Sequence, residues 1–270
     1  MKKALKTTGS VIGAIALFVI CSFIAMLPTN LICAHLGIPM DSGFNSTLST
    51  FIGDLIYIAI AMLIIKFGKK NNVKETITAK GFSPAVLLIV IPLAIAFKYM
   101  TVSGIALMPI PEEFITATAK SAADLYTVPV WVQVIGGSLL APIAEEILYR
   151  GFIQTKVSKA FNPIAGIVVT SIIFGASHCG SLLWAVWAGL TAFVLSYIRY
   201  KTGSIVPCIV FHCVTNLIAD LAANNVISFP SNLAASLIIT SIISVIGFIA
   251  LNKLSLAKNG NSVKVIEAEA

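Results

Sequence analysis

The stretch 141-APIAEEILYRG-151 sets two adjacent glutamates and an arginine inside an apolar run long enough to cross a bilayer. A charge at the bilayer centre costs at least about 2.5 to 3.5 kcal/mol on insertion scales, so ionisable groups at that depth are functional suspects by default. If the run is a membrane span, the whole chain must be read as a membrane protein, and its few buried charges become the places to look for chemistry.

The surrounding sequence supports the span. The 270 residues are 58% apolar and 11% charged, with a mean hydropathy of +0.97; soluble domains carry about 25% charged residues. Apolar stretches near 10–34, 48–67, 85–108, 130–153, 163–180, 182–198, 203–222 and 233–251 approach or exceed the length a helix needs to cross about 30 Å of hydrocarbon. The expected fold is all-α and polytopic, with about eight transmembrane helices in one domain over residues 1–252, a core at 130–222, and a disordered polar tail at 253–270.

Basic residues set the expected topology, because cytoplasmic loops carry an excess of them. Lys2, Lys3 and Lys6 precede the first span, and Lys66, Lys69, Lys70, Lys74 and Lys80 follow the second. Lys156 and Lys159, then Arg199 and Lys201, then Lys253, Lys258 and Lys264 follow the fourth, sixth and last spans. The loops between these faces hold Lys120 alone, so both termini are expected in the cytoplasm of a multi-pass cell-membrane protein. The net charge of +7 is thereby accounted for by topology and contact with anionic lipid, and no nucleic-acid partner is implied. The first apolar run is longer than the about 7 to 15 residues of a signal-peptide core and reads as an uncleaved span. Five cysteines form no C-x-x-C pair and read as small core residues.

Within the spans the ionisable residues are Asp54, Lys98, Glu145, Glu146, Arg150, His178, His212 and Asp220, with Asn216 beside them. Glu145 lies 17 positions before Asn162 and His178 lies 16 after it, so a hairpin turning at Asn162-Pro163 sets them level. His212 is 11 residues beyond Lys201, about 16 Å along a helix, and Glu145 is 11 residues from Lys156. Glu146 and Arg150 are i, i+4 and can pair on one face, leaving Glu145 about 100° away on the face of Tyr149. Phe174 and His178, and His212 and Asn216, repeat that spacing. A small rotation of the fourth helix exchanges the two glutamates, so spacing alone does not say which faces the histidines. Asp54 and Lys98 are expected to pair across helices, the alternative being that they line a substrate path, and Asp220 is expected to be solvated. Glu112 and Glu113, a second diglutamate without a matching arginine, suit the first turn of a helix. Trp131, Trp184 and Trp187 read as interface or packing aromatics.

The ordered set E-E-x-x-x-R, F-x-x-x-H and H-x-x-x-N in three apolar helices resembles the CAAX-protease and bacteriocin-processing (CPBP, or Abi) family of intramembrane endopeptidases. The matching residues are Glu145, Glu146, Arg150, Phe174, His178, His212 and Asn216, covering about a quarter of the chain. The resemblance implies peptide hydrolysis with Glu145, His178, His212 and Asn216 catalytic and Glu146 and Arg150 supporting. Its substrates would be peptides or lipidated (prenylated) protein tails, membrane segments or peptide precursors such as bacteriocins. In this reading Glu145 is the general base on a water that His178 helps to hold, while His212 and Asn216 donate to the carbonyl oxygen. The rival is a zinc ion held by Glu145, His178 and His212, as in two-histidine, one-glutamate sites. The sequence leaves the metal-dependent and metal-independent mechanisms open, along with the oligomeric state. A standard H-E-x-x-H helix is absent, and neither a rhomboid-type serine motif nor a G-x-G-D aspartyl motif is complete. A non-proteolytic immunity or regulatory partner binding a peptide or membrane protein is the alternative from another class, and a proton-relaying transporter is a third.

Overall fold

The computed structural model describes residues 2–67 and 82–258. Lys69, Lys70, Lys74, Lys80 and Lys264, used above as topology markers, and the tail from residue 259 lie outside the described residues.

Among the described residues the chain is helical throughout. The long elements are α1 (Lys2–Leu36), α2 (Gly43–Phe67), α3 (Leu87–Leu107), α4 (Glu112–Ala122), α5 (Val130–Ala160), α6 (Pro163–Ser177), α7 (Leu182–Thr202), α8 (Val206–Ala223) and α9 (Leu233–Lys258). All but α4 and α6 are long and apolar enough to cross a membrane, which gives seven candidate spans among the described residues. The protein is a multi-pass membrane protein. The eighth crossing expected at 163–180 is the exception: α6 has 15 residues, about 22 Å at 1.5 Å per residue. The helix stops before His178-Cys179-Gly180-Ser181, turn and cap residues that a window as long as a span averages with the apolar residues on either side.

Caps fix the ends of this hairpin. Asn162 caps α6, its side-chain oxygen accepting from the Ala165 N–H at 2.8 Å, and Pro163 follows at the first helical position, where its missing N–H is harmless. Ser181 caps α7 in the same way, accepting from the Trp184 N–H at 3.0 Å. Gly203 ends α7 with φ of 69°, a left-handed conformation that glycine adopts without strain.

Helix α5 sits at the centre, touching α1, α2, α6, α7 and α8. Around it α1 packs on α2, α6 on α7, and α3 on both α8 and α9. Apolar burial contributes little between helices in lipid, so close packing and polar pairs carry the association. Thr29 and Ser49 bond at 2.5 Å between α1 and α2. Ser103 donates to Ser236 at 2.9 Å between α3 and α9, and Tyr197 to Asn252 at 2.8 Å between α7 and α9. The outer face of α9, with Ile238, Ile239, Ile242, Val245 and Ile246 exposed, is the surface a lipid tail would cover.

Helices α6 and α7 approach each other backbone to backbone at Gly175. A Cβ there would lie 2.7 Å from the Ala185 carbonyl oxygen and 3.2 Å from Gly189 Cα, both backbone atoms that cannot step aside. Gly175→Ala should therefore prise α6 from α7 and lower stability by about 1 to 3 kcal/mol, the usual range for overpacking. A thermal melt in detergent checks this, and an unchanged midpoint would mean the helices are not so tightly apposed.

Glu112 and Glu113 occupy the first turn of α4, an amphipathic helix with no buried residue. Its polar face is tied to the loop after α6: Thr118 and Ser181 hydroxyls bond at 2.7 Å, and Ser121 donates to the Gly180 carbonyl at 2.6 Å.

Candidate active site

The geometry of the site begins with an irregularity in α5. Two stretches, Gly136–Leu140 and Ile147–Gln154, adopt the wider π-helical register on either side of Ala141–Glu146. Such bulges are rare and concentrate at functional sites. In the first, the Ala141 N–H reaches back five residues to the Gly136 carbonyl. The next carbonyl in that register, Gly137, would pair with residue 142, and Pro142 has no N–H to give. Asn216 on α8 supplies the missing donor, its Nδ2 lying 2.9 Å from the Gly137 oxygen. One turn further along α8, Asp220 accepts from the Ser138 hydroxyl at 2.6 Å. The expected solvation of Asp220 is thus replaced by partial burial and a bond to α5.

Glu146 and Arg150 are both fully buried and form the i, i+4 pair that their spacing predicts, at 2.8 Å. Arg150 also donates through Nη2 to the Ala192 carbonyl on α7 at 3.0 Å and lies over the Phe174 ring, 4.7 Å from its centroid. One turn on, Gln154 donates to the Ser196 carbonyl at 2.9 Å. These two rungs between α5 and α7 hold the rotation of α5.

His212 on α8 reaches between the two glutamates. Its Nδ1 is 2.9 Å from Glu146 Oε1, the same oxygen that Arg150 binds, and its Nε2 is 3.8 Å from Glu145 Oε2. A carboxylate paired with arginine is an acceptor, so Nδ1 carries the hydrogen and a neutral His212 presents an unprotonated Nε2 towards Glu145. Glu145 is the more exposed carboxylate, its side chain 20% accessible against 0% for Glu146. Both glutamates therefore meet His212, one at each ring nitrogen, and only one of them is neutralised by arginine.

His178 is at the end of α6, as its C-cap residue. Its ring stacks on Phe174 at 4.6 Å, and Nδ1 lies 2.8 Å from the Phe174 carbonyl. That carbonyl is also an acceptor, so the free nitrogen is again Nε2. Phe174 links the parts: it contacts Tyr149 at 4.8 Å and His212 at 5.9 Å between centroids, besides Arg150 and His178. Tyr149 in turn donates to Ser177 at 2.9 Å. Trp184 packs on His178, in keeping with a packing aromatic. Thus Glu145, Glu146, Arg150 and His212 form one contact set, while Phe174 brings His178 to its edge and Asn216 is held against Gly137.

The expected pair of Asp54 and Lys98 does not form. Asp54 on α2 is buried within electrostatic reach of Glu145, and Lys98 on α3 within that of Asp220. Their depths along the helices were readable, but the direction each faces depends on how α2, α3 and α5 turn. Among the described residues, no group of three or more His, Cys, Asp or Glu is arranged to hold a metal ion. His178 Nδ1 bonds a backbone carbonyl and His212 Nδ1 bonds Glu146, which leaves each Nε2 free, the pattern of histidines that ligate a metal, so the donor chemistry of Glu145, His178 and His212 fits the zinc set although the three are not clustered.

Residues 127–218 match a family model described as type II CAAX prenyl endopeptidase, Rce1-like. The match covers about a third of the chain and agrees with the CPBP resemblance of the motifs it contains. The matched segment runs from just before α5 into the last turns of α8, and includes Glu145, Glu146, Arg150, Phe174, His178, His212 and Asn216. No curated protein and no solved structure matches the chain. At the level of the family, the match points to a CAAX-type intramembrane endopeptidase.

Proposed function

We propose that the protein hydrolyses a peptide bond near the end of a membrane-associated peptide or prenylated protein tail, using Glu145 to activate water. The observation that carries this reading is His212 between two carboxylates of different standing: Glu146, buried and paired with Arg150, and Glu145, partly accessible and 3.8 Å from the free ring nitrogen.

Water between Glu145 and His212 gives one hydrogen to the carboxylate and directs the other to the histidine Nε2. Its oxygen then attacks the carbonyl carbon. The Glu146–Arg150 pair holds the His212 tautomer, much as an acidic residue orients histidine in hydrolase triads. Asn216 uses one amide hydrogen on Gly137 and retains a second for the developing oxyanion. His178 Nε2, an acceptor like His212 Nε2, is assigned the same second water hydrogen in exchange with His212. The proton on Glu145 passes to the leaving nitrogen, the C–N bond breaks, and the new carboxyl keeps the water oxygen.

The test is turnover of fluorogenic farnesylated tail peptides by purified protein in detergent. Wild type should cleave members of the panel, and His212→Ala should lower kcat by about 10²- to 10⁴-fold, the contribution of a positioned acid-base group. A wild type that binds the peptides as His212→Ala does, and cleaves none of them, would sink the reading. Activity abolished by a chelator and restored by zinc would replace the mechanism and leave the proteolysis.

A further inference from the structure

An open cavity of about 450 Å³ lies between α3, the last turns of α8 and the turn that follows, lined by Lys98, Val102 and three alanines of α8 and, from the turn, by Asn225, Ser228 and Phe229. Its volume falls in the range of small-ligand sites, about 300 to 1,000 Å³. Lys98 brings a cationic side chain into an otherwise apolar span, and among the described residues it has no hydrogen-bond or ion-pair partner. The carboxylate that its charge feels, Asp220, is held by the Ser138 hydroxyl. A lysine within a span whose nearest carboxylate is bonded elsewhere has donors left for an anion.

The position of the cavity says which anion. His212, Asn216, Ala219 and Ala223 follow one another at i, i+4, i+7 and i+11, a single face of α8. Ala219 and Ala223 are therefore about 10 to 16 Å from His212 along the axis. An extended peptide covers that distance in about three to five residues. On that face Asn216 and Ala219 lie between His212 and the far end of the cavity.

We propose that the Lys98 cavity receives the free C-terminal carboxylate of the substrate, about three to five residues beyond the bond presented to Glu145. Lys98 then determines specificity: it selects chains that end there and sets where they are cut. The inference rests on the proteolytic reading for the position of the bond, while carboxylate binding stands apart from it.

The experiment compares a farnesylated tail peptide bearing a free C-terminal carboxylate with its C-terminal amide, on wild type, Lys98→Met and Lys98→Arg. Wild type should prefer the acid in kcat/KM by about tenfold to a hundredfold, the scale of one charge-assisted hydrogen bond. Lys98→Met should lose that preference while still cutting the amide, and Lys98→Arg should keep it. Equal use of acid and amide by wild type, or an undiminished preference in Lys98→Met, overturns the proposal. If wild type cuts neither peptide, fluorescence anisotropy of the same pair decides independently: tighter binding of the acid, lost in Lys98→Met, upholds the carboxylate site although the proteolytic reading has failed. Binding of acid and amide alike, weakened for both by Lys98→Met only in vesicles of anionic lipid, would assign the lysine to a lipid phosphate and overturn it.

Discussion

Glu145→Gln protein should fold and melt as wild type does, yet turn over peptide about 10²- to 10⁴-fold more slowly. Glutamine keeps the shape of the side chain and an oxygen towards His212, so the helix contacts survive. What it loses is the ability to take a proton. The neighbouring position is the control. In Glu146→Gln an amide oxygen can still accept from His212, but the Arg150 charge is left without its counter-ion, so stability should fall together with activity. The measurement is kcat beside a melting midpoint for each variant. If Glu145→Gln stays within tenfold of wild type while Glu146→Gln is inert and stable, the two carboxylates have exchanged the roles given to them here.

Arg150→Met should be the most destabilising single change. Arg150 is fully buried, bonded to Glu146 and to the Ala192 carbonyl, and placed over Phe174. Removing one partner of a buried ion pair costs about 3 to 5 kcal/mol, because the other charge stays behind without compensation. Replacing both partners by apolar residues is often close to neutral. The double variant Glu146→Leu/Arg150→Met should therefore recover much of the lost melting temperature but none of the activity, since His212 Nδ1 would have no acceptor. An Arg150→Met protein as stable as wild type would mean that the pair is not sealed from water.

Much of this site is written in short spacings. Glu146 with Arg150 needed only the i, i+4 rule, and the hairpin turn was marked by Asn162 and Pro163, residues whose chemistry caps a helix. The grouping of three motifs at similar depth was visible because few polar residues occur in the spans. Three things were not visible. The π-helical stretches of α5 depend on what can satisfy a carbonyl beside Pro142, and that donor, Asn216, comes from another helix. The direction of Asp54 and Lys98 around their axes depends on tertiary packing, so depth alone suggested a pair that the fold does not make. The end of α6 at Ser177 is marked only by the short turn His178-Cys179-Gly180-Ser181, which a reading over the length of a span averages with the apolar residues on either side.

The two rungs that join α5 to α7 have a consequence for mutagenesis. Arg150 and Gln154 donate to the backbone oxygens of Ala192 and Ser196, both at a separation of 42 residues. No substitution at Ala192 or Ser196 removes an acceptor, so an alanine scan of α7 would pass over this contact and rank those positions by bulk alone. Insertion of one residue in α7 ahead of Ala192 would instead turn both acceptors by about 100° and advance them about 1.5 Å. The clamp is indifferent to the alphabet of α7 and sensitive to its count.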